Sequence, residues 1–127
     1  MDQIIRPAIL KSFAAMPPPP DQELREYHRI RYPLVERPTL LLENRSFTVI
    51  DVSVRGLFYI ASGGPFPQPR DPIKGILRFR RGAQVVIEGE VVRVHETGIA
   101  LHLRREIPFS VLLAEQRYLH KRYPMWS

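Results

Sequence analysis

Two short patterns in this chain hold residue types that could recognise a ligand. Arg25-Glu-Tyr-His-Arg29 sets two arginines on an RxxxR spacing, and Asp51-Val-Ser53-Val-Arg55-Gly56 gathers a carboxylate, a hydroxyl and a glycine in a DxSxxG turn. An arginine fork meets paired acceptors bidentately and can stack on a planar ring, which a lysine point charge cannot do. A carboxylate accepts from adjacent N–H donors, and a serine hydroxyl donates to oxygen. Glycine permits a backbone conformation or a close approach that a Cβ would obstruct. Taken singly, each pattern has an ordinary explanation. The arginines could be solvated loop charges pairing with Glu23 or Glu26, and Asp51 and Ser53 could simply form a turn through side-chain to backbone bonds.

The chemistry of these residues is binding rather than bond breaking. His28, His95, His102 and His120 have no metal-ligand spacing, and the chain has neither a GxSxG elbow nor a Walker loop. Ser53 has no identifiable paired base, and Glu88 and Glu90 share a strand face that reads as solvated. No enzymatic activity, metal or cofactor is expected. The absence of cysteine excludes disulfides and thiol chemistry and is compatible with a reducing cytoplasm, the expected location. A formal charge of +6 and a pI near 10.2 favour an anionic partner. Most of that charge comes from arginine, with 16 Arg against 3 Lys.

The remaining sequence supplies the elements that must position these groups. Ile5, Ile9, Leu10, Phe13 and Met16 recur at helical spacing, and Pro17 to Pro20 end that segment as a semi-rigid polyproline spacer. Residues 1–20 are therefore read as an arm and spacer, too short and too interrupted by charge to span a bilayer. Residues 21–37 are charge-dense and without period, a loop. Six β runs follow: Thr39 to Glu43, Phe47 to Val52, Leu57 to Ala61, Ile73 to Phe79, Val85 to Val94 and Ile99 to Leu103. Turn signals at Asn44-Arg45, around Gly56, from Ser62 to Pro72, at Arg81-Gly82 and at Glu96-Thr97-Gly98 imply antiparallel pairing. Gly89, inside the longest run, marks a bulge or a barrel corner. From Pro108 to Tyr123 the period changes to three and four, so a C-terminal helix over 108–123 is expected.

Six antiparallel strands with edges to protect make an all-β fold, a six-stranded barrel over 38–104 capped by the C-terminal helix. With the RxxxR in a loop just before the first strand and the DxSxxG between two strands, the chain from about Arg25 to Leu103 resembles the PilZ domain family. That resemblance implies a split-barrel type fold over 21–127 and recognition of the second messenger cyclic diguanylate (c-di-GMP). It assigns Arg25 and Arg29 to guanine and phosphate contacts, Asp51 to the guanine N1 and N2 edge, Ser53 to ligand oxygen and Gly56 to a mainly structural role. Arg31 and Arg55 are additional candidates for ligand contact. A receptor of this kind would relay the signal to an effector protein, and exposed apolar residues of the helix or Trp126 could support a homodimer.

Two other readings compete. One is a PilZ-like adaptor acting through protein contacts without nucleotide. The other is a basic β-barrel that binds nucleic acid by stacking bases on Phe58, Tyr59 and Phe79. Barrel packing is the favoured role for those aromatics.

Overall fold

The computed structural model describes residues 29–64 and 66–126. The arm, the polyproline spacer, Arg25 and His28 lie outside the described residues. Seven strands are present: β1 (Ile30–Arg31), β2 (Thr39–Leu42), β3 (Arg45–Val52), β4 (Gly56–Ile60), β5 (Pro72–Arg78), β6 (Gln84–His95) and β7 (Gly98–Leu103). They are followed by helix α1 (Phe109–Arg122). All pairings are antiparallel. The ring runs β3-β2-β5-β6-β7-β4 and closes by β4 pairing back onto β3. This is the six-stranded barrel that the alternation predicts, and closure leaves the ring without a free edge.

The short strand β1 is an addition to that expectation. Ile30 pairs with Val52 and Arg31 with Asp51 on β3, beyond the stretch of β3 that β2 occupies. A 3-10 turn at Leu34–Glu36 then carries the chain from β1 to β2. Two residues are too few to register as a period, so this part of the charged segment 21–37 reads as a loop. Its pairing nevertheless fixes where Arg29 begins.

The alternation within strands sets the core. Leu40, Val49, Val52, Leu57, Tyr59, Leu77, Phe79, Ile87, Val91, Ile99, Leu101 and Leu103 are all buried, while Glu90, His102 and Arg104 face outward. Leu112 and Leu119 of α1 join the core, so the helix caps the barrel. Pro108 is its N-cap rather than its first residue, and the helix stops one residue before Tyr123.

Gly89 does not mark the bulge. It stays in register between Ile73 and Leu103, and a Cβ there would overlap the carbonyl oxygen of His102. The glycine is needed because the neighbouring backbone passes so closely. The irregularity in β6 lies three residues further on, where Val91 pairs with Leu101 and Arg93 with Ala100, leaving Val92 extra.

Candidate functional site

The site is built on two β-bulges. In β3 the register slips between Val49 and Asp51, so Ile50 is the extra residue. A bulge breaks the alternation and re-aims the side chains that follow it. The Ile50 carbonyl accepts the Tyr32 amide at 3.1 Å, which ties the β1 segment to the bulge. Asp51 follows directly, with its carboxylate largely covered, at 16% exposure.

Arg29, one residue before β1, donates from Nη1 to Asp51 Oδ1 at 2.6 Å. The two motifs, 22 residues apart in sequence, therefore meet. The turn between β3 and β4 closes through Ser53 N–H to the Gly56 carbonyl at 2.8 Å, while the Ser53 hydroxyl makes only a long contact of 3.5 Å to the same carbonyl. Ser53 is thus a turn former whose hydroxyl stays close to free. Gly56 serves by lacking a side chain: a Cβ there would lie 3.2 Å from Arg29 Nη2 and 3.1 Å from Ser53 Oγ. Only glycine lets the guanidinium rest against the turn without displacement.

The cleft continues from β4 onto its neighbours β7 and β6 in the sheet. The bulge at Val92 makes consecutive residues Val92 and Arg93 both point outward, and Ala100 and His102 stand on the paired strand. Together with Arg29, Asp51, Ser53, Arg55 and Phe58 they line an open cleft of about 600 Å³, within the span of roughly 300–1,000 Å³ common to small-molecule sites. Its charged lining is three arginines against one carboxylate, Asp51. Such a wall favours an anionic ligand and spares Arg29 from being wholly neutralised by its partner.

The sequence-predicted residues Arg29, Asp51, Ser53, Arg55 and Gly56 are thus brought together. Arg25 lies outside the described residues. Arg55 reaches the cleft but also pairs with Glu106 at 3.1 Å. Arg31 does not line the cleft; it belongs to a small groove with Arg29, Gln116, His120 and Trp126. Val92, Arg93 and His102 were not anticipated as site residues, because neither the bulge nor the register of β7 against β4 is encoded in a local pattern. Among the described residues no cluster of His, Asp or Glu could hold a metal ion, and no helix is long and apolar enough to cross a membrane.

A partly buried ionic cluster holds the segment that follows Arg29. Arg81, in the β5–β6 turn, donates to Glu115 of α1 through Nε at 3.1 Å and Nη2 at 3.2 Å, and to Glu36 through Nη1 at 3.0 Å. Its guanidinium lies over the Tyr118 ring at 3.6 Å. Tyr32 donates to Glu115 at 2.8 Å, and Tyr123 and Tyr118 donate to Glu36 at 2.7 and 3.2 Å. Burial works against the Glu36 carboxylate, but the hydrogen bonds from Tyr123 and Arg81, with the Arg81 charge and Tyr118, outweigh it and hold its pKa below the ordinary range. Burial and the adjacent Glu115 charge push the Tyr32 hydroxyl well above its usual pKa, so it remains a donor. Barrel, helix and the β1 segment are joined here by one satisfied network.

The chain is thus a small closed antiparallel barrel with an arginine-lined cleft at an aspartate–serine–glycine turn. Residues 23–120 match the PilZ domain, and the chain belongs to the PilZ domain family, a family of cyclic diguanylate receptors. The crystal structure of an uncharacterised Legionella protein has the same fold, with a TM-score of 0.57 and 21% identity over 76% of this chain and 98% of that one. No curated protein matches the chain significantly.

Proposed function

We propose that the cleft binds cyclic diguanylate and that this chain is a c-di-GMP receptor that relays the signal to a partner rather than an enzyme. The observation that carries this reading is the 2.6 Å contact between Arg29 and Asp51 at the mouth of a basic cleft. Guanine offers O6 and N7 as adjacent acceptors for the Arg29 fork, and its N1 and N2 protons suit the Asp51 carboxylate. Adenine lacks that donor pair, so Asp51 selects guanine. The nearly free Ser53 hydroxyl donates to ligand oxygen, and Arg55 and Arg93 attract phosphate. Arg25 contributes the second fork of the RxxxR. On binding, Asp51 exchanges its contact with Arg29 for contacts with the base.

The nucleic-acid reading loses its support. Tyr59 and Phe79 are 2% and 1% exposed, and Phe58 is half-buried with its ring against Gly98, so these aromatics offer no row of stacking platforms.

Asp51→Ala should weaken cyclic diguanylate binding by about 1–3 kcal/mol, the worth of a charge-assisted hydrogen bond, and should narrow the preference over cyclic diadenylate. Titration calorimetry of the variant with both nucleotides reads this. Parental affinity for cyclic diguanylate in the variant would remove Asp51 from the recognition.

A further inference from the structure

Eight large apolar side chains stand exposed among the described residues, and four of them fall in two segments that the fold ties together. Leu34 and Val35 are 71% and 66% exposed; Met125 and Trp126 are 95% and 42% exposed. Trp126 Nε1 donates to the Arg31 carbonyl at 2.7 Å, and Tyr123 donates to Glu36 at 2.7 Å. These two bonds bracket Leu34 and Val35 on one segment and Met125 on the other. A further bond from Trp126 N–H to the Tyr123 carbonyl at 2.9 Å curls the tail back on itself. The apolar residues are therefore held out by structure rather than left on a loose end.

The charge around them is one-sided. Arg31, His120 and Arg29 border the Trp126 groove, and Arg122 lies 3.9 Å from Glu36 with its side chain 64% exposed. The carboxylates of this region, Glu36 and Glu115, are buried and already engaged by Arg81 and three tyrosines. What reaches solvent is thus cationic and apolar, with no exposed carboxylate between residues 29 and 37 or between 116 and 126. Projecting Leu, Val and Met with a tryptophan and a cationic border suit a fluid anionic surface, into which such side chains insert while the arginines meet headgroups.

We propose that the face formed by residues 31–36 and 122–126 docks onto an anionic phospholipid membrane surface. This docking does not depend on what the cleft binds. Arg29 borders both the cleft and the groove under Trp126, so the two sites adjoin.

The test is co-sedimentation of the full chain with vesicles of phosphatidylcholine, with and without phosphatidylglycerol. The chain should bind the phosphatidylglycerol vesicles and release them in high salt. Leu34→Ser with Val35→Ser should weaken that binding by about tenfold, as should Met125→Ser with Trp126→Ser, from lost apolar insertion. Arg122→Gln should weaken it by about fivefold. Leu34 and Val35 are 71% and 66% exposed, so their double variant should keep the parental melting temperature. Failure to bind either vesicle, or binding that all of these variants leave unchanged, overturns the proposal. A concentration-dependent dimer abolished by the same variants, without vesicle binding, would also overturn it and assign the face to a second copy of the chain.

Discussion

Arg29→Ala should abolish measurable c-di-GMP binding, a loss of about 3 kcal/mol or roughly a hundredfold in affinity, while barely changing stability. The two effects separate because of where Arg29 sits. Its side chain is 49% exposed and its only described ion pair is with Asp51, and such exposed pairs contribute about 0–1 kcal/mol to folding. In the complex the same guanidinium would be desolvated against a base, where the planar fork matters most. Arg29→Lys should therefore not rescue, because lysine restores the charge without the bidentate geometry or the stacking surface. The same loss is expected for Arg25→Ala. Circular dichroism and thermal melting should match the parent in each case. Normal binding by the alanine variants would remove the paired-arginine mechanism and put the adaptor reading first.

Arg81→Ala should do the reverse and strike the fold. The substitution leaves Glu115, 3% exposed, as a buried carboxylate without its cation, and leaves Glu36, 7% exposed, with only Arg122 at 3.9 Å. Removing one partner of a buried ion pair costs about 3–5 kcal/mol. Arg81 is 29% exposed, so the lower end applies, which for a domain of this size corresponds to a drop in melting temperature of roughly 10–20 °C. The pH dependence gives a sharper check. In the parent the folded-state pKa of Glu36 is lowered, so its stabilisation is present above the ordinary carboxylate range and fades as pH falls through the lowered value. In Arg81→Ala the buried Glu36 loses the hydrogen bond and the charge that help hold its pKa down, and acid relieves it. The gap between variant and parent should therefore narrow as pH is lowered. A deficit that stays constant from neutral pH into the acid range would mean that the network does not work through charge.

The contrast between these variants reflects what was legible in the sequence. Asp51, Ser53 and Gly56 lie within one turn, and Arg29 lies just before the barrel, so short-range spacing is enough to single them out. The six strands of the ring are legible because their inner faces are apolar, as in Ile99, Leu101 and Leu103. The part of the cleft on β6 is not, since Val92 and Arg93 reach it only through a bulge that breaks the alternation. His102 reads correctly as exposed, but its place in the cleft depends on β7 pairing with β4 opposite Gly56. The Arg81 network joins residues 34 and 45 positions apart, and no local pattern distinguishes Arg81 from the other 15 arginines. Trp126, expected near a partner contact, is bonded to the Arg31 carbonyl within the chain while remaining 42% exposed.

The central claim, that the cleft is a guanine cyclic dinucleotide site, is tested most directly by titration calorimetry of the full chain with cyclic diguanylate, using cyclic diadenylate as the control. Saturable heat with cyclic diguanylate, at least tenfold weaker with the adenine analogue by about the worth of one lost recognition bond, is the predicted result. Equal affinity for both nucleotides, or no heat with cyclic diguanylate, would contradict it.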